Sequence, residues 1–396
     1  MKRRLKRALL AASLAAATVA GTTGVTVASE QTPVTGPPPG AAAWRADTSL
    51  GRPLPDPATA TPRRVARFFH GLSPAQRRSL AHRHPLTVGN LDGAPPALRY
   101  EANRLGLKVR RSAELARAAD PSLTAQDHEQ ARARAERYST LLAPGRHILA
   151  FDPRGRGQVA EVYGDLARAD RTAVIVPGSD IDLATYDRPG KNRYGRPGGM
   201  AKSLRHRMEA RKPGARAAVV AWVGYTTPVG VGPDAATGRL AEAGAPRLER
   251  FLDGLARTGA ASPAVLCHSY GSVVCGAAAP HLDRRDAFDL VVFGSPGMRA
   301  GSVSGLRTPV PVWAAARASG DWIGNVPHVQ VLGLGHGADP AEPGFGARVV
   351  TADDAEGHGG YLSPGTDSLT NFADIALRSY GSVHCSAASK ECADVR

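Results

Sequence analysis

Between residues 264 and 276 the chain reads Ala264-Val265-Leu266-Cys267-His268-Ser269-Tyr270-Gly271-Ser272-Val273-Val274-Cys275-Gly276. A short apolar run, the pattern of a buried strand, leads into Ser269, and a small-residue helical pattern begins directly after it. This is the arrangement of a strand–nucleophile–helix elbow, G-x-S-x-G, with Cys267 in the place of the first glycine. The small residues have a steric task. Strand and helix pass so close at such a turn that larger side chains on either side of the serine collide. The turn lifts the serine oxygen into the open and sets a helix N-terminus beneath any anion that forms there.

A serine hydroxyl is a weak nucleophile without a base, and the base needs an acid to orient it. In elbow-bearing sheets the order along the chain is serine, acid, histidine, on loops that follow successive strands. Downstream strands are predicted at 290–293, 310–315, 329–332 and 348–350. The strand at 310–315 runs into Ser319-Gly320-Asp321-Trp322, and that at 348–350 into Asp353-Asp354-Ala355-Glu356-Gly357-His358-Gly359-Gly360-Tyr361. Asp321 and His358 therefore stand where acid and base belong. The competing pair is His336 and Asp339, which precede the last strand and read as a structural turn or pocket loop. Asp353 and Asp354 compete as acids but share the loop of the base. His268, beside the nucleophile, reads as packing. A tetrahedral oxyanion needs two amide donors. The expected ones are the N–H of Tyr270 and, from the loop Val176-Pro177-Gly178-Ser179-Asp180, that of Ser179. No H-E-x-x-H motif and no paired Cys/His spacing occurs, so neither metal nor cofactor is implied.

Working outward, further strands are predicted at 147–151, 158–163, 172–176, 217–223 and 264–267, with helical patterns at 200–211, 239–257, 270–279 and 368–378. Apolar strands alternating with helices indicate a mostly parallel sheet covered on both faces. Residues 147–163, turning at Pro153-Arg154-Gly155-Arg156-Gly157, read as a hairpin that gives the sheet an antiparallel edge. The Gly- and Pro-rich stretches 180–199 and 224–239 read as lids over the site or as surface insertions. Cys267 and Cys275 are compatible with a disulfide that pins the elbow and equally with two buried thiols. Cys385 and Cys392 close a small loop in a polar tail, 385–396, if they are bridged.

The chain of 396 residues is 42% hydrophobic and 21% charged, which excludes a disordered protein, and it carries no collagen or heptad repeat. Residues 1–29 open with Met1-Lys2-Arg3-Arg4-Leu5-Lys6-Arg7, continue as an apolar Ala-rich run and exit through small residues. They read as an export signal for the general secretory route, with an uncleaved membrane anchor as the alternative. Residues 30–62 read as a Pro-rich linker that buries little. Residues 63–143 read as a small helical segment, in which Ser73-Pro74-Ala75-Gln76 is a capping box and Asn90-Leu91-Asp92-Gly93 a turn. Residues 144–384 form the sheet domain. The net charge is +15, and residues 62–145 hold fifteen Lys/Arg against seven Asp/Glu. Most are arginines interleaved with alanines, which reads as solvated helix faces. No nucleic-acid motif accompanies them, so nucleic acid is not an expected partner, while contact with an anionic cell envelope stays open.

Several motifs together resemble a family of actinobacterial α/β hydrolases of unassigned substrate, over most of residues 67–380. They are Gly71-Leu72-Ser73-Pro74, Val88-Gly89-Asn90-Leu91-Asp92-Gly93, Phe151-Asp152-Pro153, Val176-Pro177-Gly178, Trp222-Val223-Gly224-Tyr225, His268-Ser269-Tyr270-Gly271-Ser272, Phe293-Gly294-Ser295-Pro296-Gly297 and Gly335-His336-Gly337-Ala338-Asp339-Pro340. The resemblance implies an α/β-hydrolase fold with a serine nucleophile and leaves the substrate open. Family members often carry Pro-Gly-Met-Gly after the third strand, where this chain has Pro177-Gly178-Ser179-Asp180. The expectation is an exported serine hydrolase that cleaves an acyl ester, small or lipid-like, through Ser269, His358 and Asp321. The alternatives are an amidase or peptidase, and a non-catalytic envelope-binding protein on the same fold.

Overall fold

A computed structural model describes residues 30–395. The leader read over residues 1–29 lies outside the described residues, as does Arg396. Ahead of the sheet, besides two helices of four or five residues, stand α1 (Pro62–His70), α2 (Pro74–Arg83), α3 (Pro96–Ala118) and α4 (Ala125–Leu141). At α2 the Ser73 hydroxyl accepts from the Gln76 amide while the Gln76 side chain accepts from the Ser73 amide, so two orphan donors of the first turn are satisfied reciprocally. The alternating region then gives β1 (His147–Asp152), β2 (Gln158–Tyr163), β3 (Arg171–Val176), α5 (Pro197–Arg211), β4 (Ala217–Val223), α6 (Arg239–Arg257), β5 (Ala264–His268), α7 (Gly271–Ala278), β6 (Asp289–Phe293), β7 (Val312–Ala315), β8 (Arg348–Val350) and α8 (Asp367–Ala376).

The eight strands form one sheet in the order β1-β2-β4-β3-β5-β6-β7-β8. The pairs β1/β2 and β2/β4 are antiparallel, and every pair from β4/β3 to β7/β8 is parallel. This is the α/β-hydrolase arrangement, with nearly every residue of the central strands buried because helices cover both faces. Alternate residues serve opposite layers. Ala173 and Ile175 of β3 pack with Met200, Leu204 and Met208 of α5 and with Phe372 of α8. Val174 and Val176 pack with Leu248, Leu252 and Leu255 of α6 and with Val273 and Val274 of α7.

Both edges of the sheet are covered, which removes the open backbone ladders that invite pairing with other chains. At β1, Asn90 of the helical segment imitates a neighbouring strand. Its side-chain amide donates to the Phe151 carbonyl at 2.7 Å and its oxygen accepts from the Phe151 amide at 3.1 Å, while Asn103 donates to the Ile148 carbonyl at 3.0 Å. At β8, residues 384–389 do the same work. The Ser386 amide donates to Val349, the Thr351 amide to His384, and the Ser389 hydroxyl accepts from the Val349 amide. The disulfide Cys385–Cys392 closes this clip, and Cys392 is fully buried.

Two expectations need correction. Residues 30–62 do not merely link. Trp44 on the short helix Ala41–Arg45 is completely buried with Val65, Phe69 and Leu80, and its indole N–H donates to the Pro55 carbonyl at 2.7 Å. A single large aromatic, buried with its polar edge satisfied, outweighs the surrounding prolines and glycines. The strand predicted at 329–332 does not enter the sheet either. Gln330–Val331 and Leu334–Gly335 form a separate two-stranded hairpin whose apolar residues face outward. An apolar run identifies strand propensity and leaves open what the strand packs against.

Candidate active site

Ser269 sits between β5 and α7 with φ of 55°, a left-handed conformation that is costly for a residue with a Cβ. The turn is held from both sides. The Ser269 amide donates to the Phe293 carbonyl at 3.0 Å, and the Ser272 hydroxyl donates back to the Cys267 carbonyl at 3.1 Å. Cys267 and Cys275 form a fully buried disulfide that ties the strand before the serine to the helix after it. Gly271 explains the second small position of the motif. A Cβ there would stand 2.4 Å from the Val176 carbonyl oxygen, so only glycine lets α7 start this close to β3.

Gly178 lies against the serine itself. A Cβ at Gly178 would be 2.8 Å from the Ser269 Oγ and 3.1 Å from the Tyr270 amide nitrogen. The absence of a side chain leaves open the space beside the hydroxyl and the first amide of the elbow. Ser179, the residue named as second donor, follows on the same turn and is half-buried. Among the described residues, neither the Tyr270 nor the Ser179 amide is hydrogen-bonded to another group of the chain. The Tyr270 side chain points away from this space. Its hydroxyl donates to the Thr237 carbonyl at 2.7 Å and so anchors the 224–239 loop.

The structure brings Asp321 and His358 together. The His358 Nδ1 lies 2.9 Å from Asp321 Oδ1, and the carboxylate side chain is fully buried. Because a carboxylate can only accept, Nδ1 carries the proton and the Nε2 lone pair is left free. Asp321 also accepts from the Ile323 amide at 2.9 Å and, through Oδ2, from the Tyr361 hydroxyl at 2.7 Å. Burial alone would raise the Asp321 carboxyl, but the hydrogen bonds from His358, Ile323 and Tyr361 outweigh it and hold the group below the usual carboxylate range. His358 is brought to the elbow by the neighbour of Ser269. The His268 Nε2–H donates to the His358 carbonyl at 2.8 Å, and the two rings lie 4.7 Å apart. Burial above all depresses the pKa of His268 to about 3, so this imidazole stays neutral. The loop of Gly294, which follows the carbonyl that holds Ser269, passes against the His358 ring: a Cβ there would be 3.1 Å from Cε1.

The other candidates lie elsewhere. His336 is buried, with Nε2–H donating to the Ala235 carbonyl, and its ring packs edge-on against Tyr270. Asp339 pairs with Arg317 at 2.7 Å and with His328 at 3.3 Å, not with His336. The amides of Asp353 and Asp354 donate to Asp367 at the start of α8, away from the imidazole. Among the described residues no cluster of three His, Cys, Asp or Glu side chains is placed to hold a metal ion. Three neighbours of the site had no role in the sequence reading. The Tyr361 hydroxyl donates to Asp321, Trp322 lies on the His358 ring with centroids 4.5 Å apart, and the segment 31–35 is sewn to the 224–239 loop. In that last contact, the Gln31 amide donates to Asp234 and the Val34 amide to Thr226. The sole local signal is the Gly359-Gly360-Tyr361 sequence directly after His358.

Residues 152–331 match a family model described as alpha/beta hydrolase. Two curated relatives, uncharacterized proteins from two strains of Mycobacterium tuberculosis, are 29% identical over 380 aligned residues. The alignments cover 82% of this chain and 56% of theirs, so the chain spans about half the length of the relatives it matches. Among solved structures, a 2,6-dihydroxy-pseudo-oxynicotine hydrolase is similar with a TM-score of 0.36 and 14% identity, covering 81% of this chain and 90% of its own. A poly(3-hydroxybutyrate) depolymerase from Bordetella parapertussis is similar with a TM-score of 0.37 and 13% identity, covering 65% and 95%.

Proposed function

We propose that this α/β hydrolase is an exported serine hydrolase that cleaves acyl esters by way of an acyl-enzyme. Ser269 attacks the acyl carbonyl as His358 Nε2 takes the hydroxyl proton. Asp321 holds the Nδ1–H and stabilises the imidazolium that forms. The amides of Tyr270 and Ser179 receive the oxyanion in the space that Gly178 leaves open. The imidazolium returns its proton to the leaving alkoxide. Water, deprotonated by the same imidazole, then releases the acid and restores the serine.

The observation that carries this reading is the Asp321–His358 hydrogen bond, which fixes the tautomer with its lone pair on Nε2, at a rim shared with a serine held in a strained turn. Export rests on the leader read at residues 1–29 and is supported by two disulfides, which persist in oxidising compartments. A fluorophosphonate probe tests the chemistry. Labelling should map to Ser269, vanish in Ser269→Ala and fall strongly in His358→Ala. A folded wild-type protein that takes no label, and that cleaves no p-nitrophenyl ester of any chain length, overturns the proposal.

A further inference from the structure

Among the described residues nine large apolar side chains are exposed, and only Val109 and Leu115 lie away from the site, on α3. The other seven crowd three loops around Ser269. Val229 and Val231 flank Gly230, whose amide donates to Asp180, two residues beyond Gly178. The hairpin at 330–335 carries Leu332 at its tip, 99% exposed, and is bridged through Leu334 to Thr237, the residue that accepts from Tyr270. Trp322, 43% exposed, covers His358. Folded proteins scatter such side chains, and a cluster at one mouth marks a surface meant to be covered.

Beside His358 the mouth also carries a cationic loop. Backbone at Gly195 abuts Gly359, the residue after His358, and the loop leading to it exposes Arg188, Lys191 and Arg193. Arg193 meets only its neighbour Tyr194, and among the described residues none of the three is paired with a carboxylate. Apolar tips and unpaired cations at the same mouth fit an anionic amphiphile surface, with tips in the acyl layer and cations at the headgroups. A second copy of the chain would bring the same cations to the same face.

We propose that this mouth docks on anionic lipid surfaces and that the substrate is an acyl ester held in such a surface. The substrate assignment rests on the serine-hydrolase reading; the docking does not. Ser269→Ala protein is therefore mixed with phosphatidylglycerol-containing vesicles and with pure phosphatidylcholine vesicles, so that binding is read without turnover. Of the four tryptophans only Trp322 is exposed, so a blue shift in emission reports this mouth. The expected result is co-sedimentation with the anionic vesicles, a blue shift, and loss of both as salt rises. Val331→Asp with Leu332→Asp, on an exposed hairpin, should weaken binding by about tenfold or more while the same changes in active protein leave cleavage of a soluble short-chain ester unchanged. Lys191→Glu with Arg193→Glu should remove the preference for anionic vesicles. No binding, binding indifferent to both pairs of substitutions, or dimerisation through this face in place of binding overturns the docking. Vesicle binding by a protein that labels with no phosphonate leaves docking standing and removes the serine-hydrolase reading alone.

Discussion

Gly178→Ala places a methyl group in the space assigned to the oxyanion. The new Cβ would lie 2.5 Å from the Ser269 Cβ, 2.8 Å from its Oγ and 3.1 Å from the Tyr270 nitrogen. The first of these falls about 1 Å short of the carbon–carbon optimum. Neither partner can swing aside, because Ser269 is fixed by its bond to Phe293 and Tyr270 by the first turn of α7. The loop after β3 must recoil instead, carrying the Ser179 amide with it. Loss of one oxyanion donor costs about 10²–10³ in kcat, whereas overpacking of this kind destabilises a fold by about 1–3 kcal/mol. The variant should therefore fold, with a modest drop in Tm, and lose most of its activity toward p-nitrophenyl butyrate and most of its phosphonate labelling. Thermal melting and hydrolysis are measured on the same preparation. Undiminished hydrolysis by a folded Gly178→Ala protein refutes the placement of the oxyanion here.

Three further predictions follow from individual contacts. Tyr361→Phe leaves Asp321 Oδ2 without its donor, a loss of about 1 kcal/mol. It should lower kcat by several-fold at unchanged KM in steady-state kinetics, whereas an unchanged kcat would deny Tyr361 a positioning role. His268 titrates near 3 in the folded protein against an ordinary 6.5, so between those values the unfolded chain holds the extra proton. Stability then rises with pH across this window and is lost as pH falls, by about 4–5 kcal/mol over the full span. Asp321, also depressed, adds a loss in the same direction at lower pH. Denaturant titrations of His268→Gln, which keeps an N–H donor without the titration, should show a flatter pH profile than wild type, and equal slopes would contradict the buried neutral imidazole. Asn90→Ala uncovers the Phe151 amide and carbonyl at the β1 edge and should destabilise the fold by about 1–3 kcal/mol in urea unfolding. A change near zero would mean that water replaces Asn90 there.

What could be read from the sequence had local causes. The elbow around Ser269 is contiguous, and the small residues at Cys267 and Gly271 record a steric demand within a few positions. Asp321 and His358 are legible as candidates because each follows a strand and the sheet gathers strand ends on one rim. Tyr361, His268 and Trp322 gain their roles from partners thirty-six to ninety positions away, or from a ring that the fold lays over another ring. Asn90 looked like a turn residue because nothing near it in the chain shows that an edge strand will stop against its amide. The run at 329–332 carried the apolar signature of a strand, and the same apolarity is better explained by its place at the mouth than by burial.

The clip over β8 has a consequence for how the chain is made. Residues 384–392 are synthesised after everything they cover, so a chain halted before them has an otherwise complete sheet with a bare backbone ladder along β8. Premature stop codons between α8 and residue 384 should therefore yield protein that is lost to self-association rather than to failed catalysis, and the same holds on a slower clock for chains whose Cys385 waits for its oxidant.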